Sequence, residues 1–139
     1  SPGVGKTHLA IGLGLKAIHA GYKVSFNTAL GLIEMLGLAE LKGELKKKIN
    51  QLLKFDVLII DELGYLPMKK QGMHNLFQLV NAMYEYRSII LTTNKQFTHW
   101  GEFFFDDNVA VPIVDRIIHH SHIFTLGGES YRLKSKLNN

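Results

Sequence analysis

The sequence predicts an α/β fold: a mainly parallel sheet with helices on both faces. Two observations predict it. Short apolar runs of strand length alternate along the chain with segments of helical periodicity. Two of those runs, within residues 55–60 and 87–93, are nearly continuous in apolar residues, as strands covered on both faces are. The length of 139 residues suits one domain, taken here as 1–139. Sheets of this kind place their ligands beyond the carboxyl ends of the strands.

The elements follow in order. Residues 6–20 read as a helix that is apolar almost all round, and so is expected to be buried. Residues 22–27 read as a strand. Residues 29–53 form a helical stretch interrupted by Gly31, Gly37 and Gly43, which implies two helices. The second is expected to turn Leu41, Leu45, Ile49 and Leu52 inward, with Lys42, Lys46, Lys47 and Lys48 around them. After the strand at 55–60, Met73, Leu76, Phe77, Val80, Met83 and Tyr84 recur at helical spacing. His74, Asn75, Gln78, Asn81 and Glu85 form the opposite, polar side. The strand at 87–93 comes next. Ile113, Val114, Ile117 and Ile118 make another helical stripe after Pro112, and residues 122–126 read as a last strand.

Composition excludes several classes. Hydrophobic residues make up 46% and charged residues 20%, which is globular rather than disordered. The apolar runs are too short to span a membrane, and no basic-then-apolar leader is visible. With no cysteine, there is neither a disulfide framework nor a thiolate metal site, which suits a reducing compartment such as the cytoplasm. The formal net charge of +4 and pI of about 9.3 permit nucleic-acid contact without demanding it.

Ser1-Pro2-Gly3-Val4-Gly5-Lys6-Thr7 is the end of a P-loop, G-x-x-x-x-G-K-[ST], whose first glycine would fall one residue before Ser1. Gly3 and Gly5 let the backbone turn so that consecutive N–H groups face phosphate oxygens. Lys6 offers positive charge to the β- and γ-phosphates, Thr7 offers a hydroxyl to Mg²⁺, and the helix that starts there adds its positive end. The candidate nucleotide-binding residues are therefore Gly3, Val4, Gly5, Lys6, Thr7 and His8. Alone, such a segment is also an ordinary glycine-rich turn before a helix. A second segment, residues 55–62, decides between the two. It is an apolar strand ending in Asp61 and Glu62, the form of a Walker B motif. Asp61 is placed to hold Mg²⁺ and Glu62 to act as a general base on water.

A third strand delivers Asn94, placed to help orient that water; the plainer reading is an Asn that ends a strand in a turn. Arg116 lies in the Ile113 to Ile118 helix, with His119 and His120 on its side of the helix and away from the apolar stripe. From there it can reach a neighbouring subunit's γ-phosphate, or simply pair with Asp115. His119, His120 and His122 are not read as a metal site, because His122 leaves the helix for a strand. Asp106 and Asp107 read as a solvated turn, and Phe103, Phe104 and Phe105 as core. Lys46, Lys47 and Lys48 form either a DNA-phosphate contact or a solvated helix face.

Several segments resemble the IstB family of AAA+ ATPases, the helpers of insertion-sequence transposases, which are similar to bacterial replicative helicase loaders. They are Ile60-Asp61-Glu62-Leu63-Gly64-Tyr65-Leu66-Pro67, Leu91-Thr92-Thr93-Asn94-Lys95, Trp100-Gly101-Glu102, Asp115-Arg116-Ile117-Ile118-His119-His120 and Gly128-Glu129-Ser130-Tyr131-Arg132-Leu133-Lys134. The resemblance runs over essentially the whole chain. It implies an AAA+ P-loop fold, ATP with Mg²⁺, binding to double-stranded DNA, ATP-dependent homo-oligomers with shared ATP sites, and delivery of target DNA to a transposase in the bacterial cytoplasm. It also implies that Asn94 is the sensor 1 residue, Arg116 the arginine finger acting in trans, and Arg132 the sensor 2 arginine. The chain departs from the family pattern in lacking the N-terminal region and the first core strand, which leads into the P-loop. The expectation is a truncated AAA+ domain that folds poorly and binds ATP weakly alone. Two other readings stay open: a helicase loader, and a non-catalytic relic that keeps only DNA or partner binding.

Overall fold

A computed structural model describes residues 4–64 and 69–94 of the chain, with the side chain of Val4 excepted. In order, the elements are α1 (Val4–His19), β1 (Val24–Thr28), α2 (Ala29–Leu41), α3 (Leu45–Leu52), β2 (Val57–Leu63), α4 (Lys70–Met83) and β3 (Ser88–Thr93). The strands form a parallel sheet in the order β1-β2-β3, which puts β2 in the middle. The stripe at 113–118 and the strand expected at 122–126 lie outside the described residues.

Side chains of β2 alternate between two layers, as the pleat requires. Val57 and Ile59 face α1, where they meet Ala10, with Ala17, Val24 and Ile90 packed alongside. Leu58 and Ile60 face the other way, into a larger core made with Leu32 and Leu36 of α2, Ile49 and Leu52 of α3, and Met73, Leu76, Leu79 and Met83 of α4. Burial of each such large apolar side chain contributes about 1.5–3 kcal/mol.

The boundaries have local causes. Thr28 ends β1 in an extended conformation and caps α2, its Oγ1 accepting the Gly31 N–H at 3.1 Å. Gly43, at φ +70°, ends the first part of the long helical stretch. There the Glu44 N–H turns back to the Ala39 carbonyl at 2.7 Å. The expected division into two helices is therefore found, and Gly43 is the glycine that makes it.

Three expectations are corrected. The first helix is not buried: Leu9, Ile11 and Leu13 are each 41% exposed, and Leu15 and Ile18 each 52%. α1 meets the sheet along a narrow strip of small residues, Ala10, Gly14 and Ala17, and no described element covers its flanks. The contact is close, since a Cβ on Gly14 would lie 2.8 Å from Ile59 Cδ1. Leu41, expected inside the second helix, is instead the last residue of α2 and is 85% exposed. Asn75, expected on the polar side of its helix, is 1% exposed, and its Oδ1 accepts from Gln71 Nε2 at 3.2 Å. A partner one turn away allows this amide to sit within the packed layer.

Candidate functional site

Because the strands are parallel, Thr28, Asp61 and Asn94 come out at the same edge of the sheet, with Thr28 directly beside Asp61. The N-terminus of α1, with Gly5, Lys6 and Thr7, arrives at that edge. Thr7 and Asp61 are 54 residues apart in sequence, yet the Thr7 hydroxyl donates to Asp61 Oδ2 at 3.0 Å and lies 3.3 Å from Oδ1. The two residues assigned from sequence to the metal thus meet. Asp61 is 2% exposed, and its Oδ1 also accepts from the Thr92 hydroxyl. A hydroxyl and a carboxylate at contact distance are the hard oxygen donors that Mg²⁺ takes, its remaining positions going to water and phosphate oxygens. The residues present fit that ion.

Glu62 is presented by a break in the sheet. From Val57 to Ile60, β2 pairs with β3 in even register, Ile60 opposite Leu91; then Leu63 stands opposite Thr93. Asp61 and Glu62 of β2 therefore face Thr92 alone, which is a β-bulge. Glu62 takes up the extra residue with φ +64°, the one non-glycine residue at positive φ among the described residues. The side chains show the consequence. Leu63 returns to the same core as Leu58 and Ile60, and Glu62 is exposed. Regular alternation would have sent Glu62 into that apolar core and Leu63 to the opposite face. Holding a carboxylate-bearing residue in the left-handed region costs about 1–2 kcal/mol, a strain that gathers at functional sites.

Of the other candidates, Lys6 is half-buried near the start of α1, and Gly5 and His8 are exposed. Val4 begins the helix, and Asn94 is exposed just past β3. Gly3, Arg116 and Arg132 lie outside the described residues, as do His119, His120, His122, Asp106, Asp107 and Phe103 to Phe105. Lys46 and Lys47 are exposed on α3 and line a shallow concavity with Asn50, Gln51 and Lys54. That helix leads into the amino end of β2, at the edge of the sheet away from Asp61. Sequence reasoning missed Thr92. The available signal was a hydroxyl on the α1-facing side of β3, two residues after Ile90 and level with the end of β2.

A parallel sheet that brings a Gly-Lys-Thr helix start against a strand-end Asp-Glu pair defines a protein of the P-loop class, and solved structures agree on the fold. The chain resembles the DnaC helicase loader with a TM-score of 0.70 and 24% identity, over 88% of this chain and 72% of that one. It resembles AMPPCP-bound DnaA from Aquifex aeolicus with a TM-score of 0.67 and 24% identity, over 79% of this chain and 34% of that one.

Residues 1–139 match the family of the IstB-like ATP binding protein, and the chain belongs to that family. It is 50% identical over 135 residues to a protein of Geobacillus stearothermophilus named as an ATP-binding protein of insertion sequence IS5376, covering 97% of this chain and 54% of the relative. It is also 50% identical over 135 residues to the similarly named protein of insertion sequence IS21 from Pseudomonas aeruginosa, covering 97% of this chain and 51% of the relative. The chain spans about half the length of these relatives.

Proposed function

We propose that this chain is the ATP-binding and ATP-hydrolysing core of a helper protein for insertion-sequence transposition. The observation that carries the reading is the meeting of Thr7 with Asp61 beside a bulge that turns Glu62 outward. In this reading the backbone of Gly3, Val4 and Gly5 and the Lys6 ammonium cradle the phosphates of ATP, with His8 following in the first turn of the helix. Thr7 and Asp61 hold Mg²⁺, which when bound offsets negative charge on the β- and γ-phosphates. The Glu62 carboxylate takes a proton from the attacking water, and Asn94 orients that water. Arg116 of a neighbouring subunit completes the site, and Arg132 contacts the nucleotide from the same subunit. Hydrolysis then depends on assembly, and ATP holds together subunits arranged on DNA.

The names of the relatives support the insertion-sequence context, and through it a transposase of the same element as partner and the bacterial cytoplasm as location. The net charge of +4 is compatible with double-stranded DNA as the surface for assembly. A second reading, a helicase loader, is favoured by the likeness to DnaC. At 24% identity, against 50% to the insertion-sequence relatives, it is the weaker one.

The test is ATP hydrolysis with and without double-stranded DNA, on this chain and on a form extended upstream through the first P-loop glycine. Hydrolysis stimulated by DNA in the extended form supports the proposal. Absence of hydrolysis in both forms leaves a module that binds without catalysis.

A further inference from the structure

We propose that Thr92 is a positioning residue that couples the metal-facing carboxylate of Asp61 to the backbone of Glu62. This rests on the roles proposed above for those two residues. Thr92 is buried on the α1-facing side of β3, at the single position that faces both residues of the bulge. Its hydroxyl accepts the Glu62 N–H at 2.8 Å and donates to Asp61 Oδ1.

The direction of this chain is fixed by what each group can do. An amide nitrogen only donates, an ionised carboxylate only accepts, and a hydroxyl has one proton to give. The relay therefore runs from Glu62 N–H to Thr92 Oγ1, and from Thr92 O–H to Asp61 Oδ1. It has two consequences. Asp61 Oδ1 is tied to the sheet through the Thr92 hydroxyl, while Oδ2 is the oxygen nearer Thr7. The Glu62 amide, at the bulge rather than in the even ladder, has the Thr92 hydroxyl as its partner, just before the backbone turns to φ +64°. One side chain thus holds both the Asp61 carboxylate and the backbone from which Glu62 leaves the sheet. Through β3 it also links both to Asn94, two residues on.

Thr92→Val keeps the branched shape and removes the relay, while Thr92→Ser keeps the hydroxyl. Three quantities are measured on the full chain: hydrogen exchange at the Glu62 amide without nucleotide, affinity for Mn²⁺ in the presence of ADP, and ATP hydrolysis. For Thr92→Val, exchange at Glu62 should accelerate, Mn²⁺ affinity should fall roughly tenfold, and kcat should fall at least about tenfold with a smaller change in KM for ATP. Thr92→Ser should stay near the unaltered protein in all three. If Thr92→Val matches the unaltered protein in exchange and in Mn²⁺ affinity, the proposal is overturned; it is overturned equally if Thr92→Ser loses as much as Thr92→Val. If Thr92→Val does not fold, the unaltered protein carries the test: a Glu62 amide exchanging as fast as an exposed one overturns the relay, and a protected one upholds it. A protein that shows the exchange pattern but hydrolyses no ATP keeps the relay and loses the ATPase reading, so the two failures are told apart.

Discussion

Among the described residues, the two faces of the sheet are built to different standards. On one, α2, α3 and α4 press a continuous layer of fully buried leucine, isoleucine and methionine onto Leu58, Ile60 and Leu63. On the other, α1 touches the strands along Ala10, Gly14 and Ala17, its larger apolar residues left out to the sides. The candidate site is on the thinner face. Thr7, Asp61 and Thr92 all lie there, and the bulge at Asp61 and Glu62 is where the central strand passes from one role to the other. The thick face packs against β2 up to Leu63, beside the strained Glu62 and the buried Asp61.

Substitutions can break that comparison, and their expected effects differ in size. The largest is on chemistry: Glu62→Gln should lower ATP hydrolysis by roughly 10²- to 10⁴-fold, the range for losing a general base. Because Glu62 is exposed, the melting temperature should barely move, and thermal unfolding beside a hydrolysis assay checks both. On the thick face, Leu79→Ala should cost about 2–5 kcal/mol in denaturant unfolding, since Leu79 is fully buried and its removal leaves a cavity. At the junction of β1 and α2, Thr28→Ala should cost about 1 kcal/mol by removing the cap on the Gly31 amide. Smallest of all, Leu15→Ala on the flank of α1 should change stability by less than about 0.5 kcal/mol. A loss like that of Leu79→Ala would mean that the flank is covered.

How much of this was legible from sequence also divides by face. β2 and β3 could be read because each holds a short apolar run, and the layer above Leu58 and Ile60 because Met73, Leu76, Phe77 and Met83 keep helical spacing. The meeting of Thr7 with Asp61 was legible because each ends a motif whose residue types are restricted. The exposure of α1 was not, since periodicity counts apolar residues and does not count the neighbours that cover them. Asn75 was misplaced because its partner, Gln71, lies on the same helix and carries no mark of burial. The bulge was hidden as well. Val57-Leu58-Ile59-Ile60-Asp61-Glu62-Leu63 has no glycine to announce a positive φ, and the role of Thr92 depends on register, which no single strand reveals.

The central claim, that Thr7 and Asp61 form the metal side of a nucleotide site, is tested most directly by titrating a fluorescent ATP analogue with and without Mg²⁺ in the unaltered protein and in Asp61→Asn. Asparagine keeps the shape and can still accept from Thr92, but it removes the charge. The account predicts that Mg²⁺ strengthens nucleotide binding in the unaltered protein, and that Asp61→Asn loses this strengthening while keeping its metal-free affinity. Equal strengthening by Mg²⁺ in both proteins would contradict it.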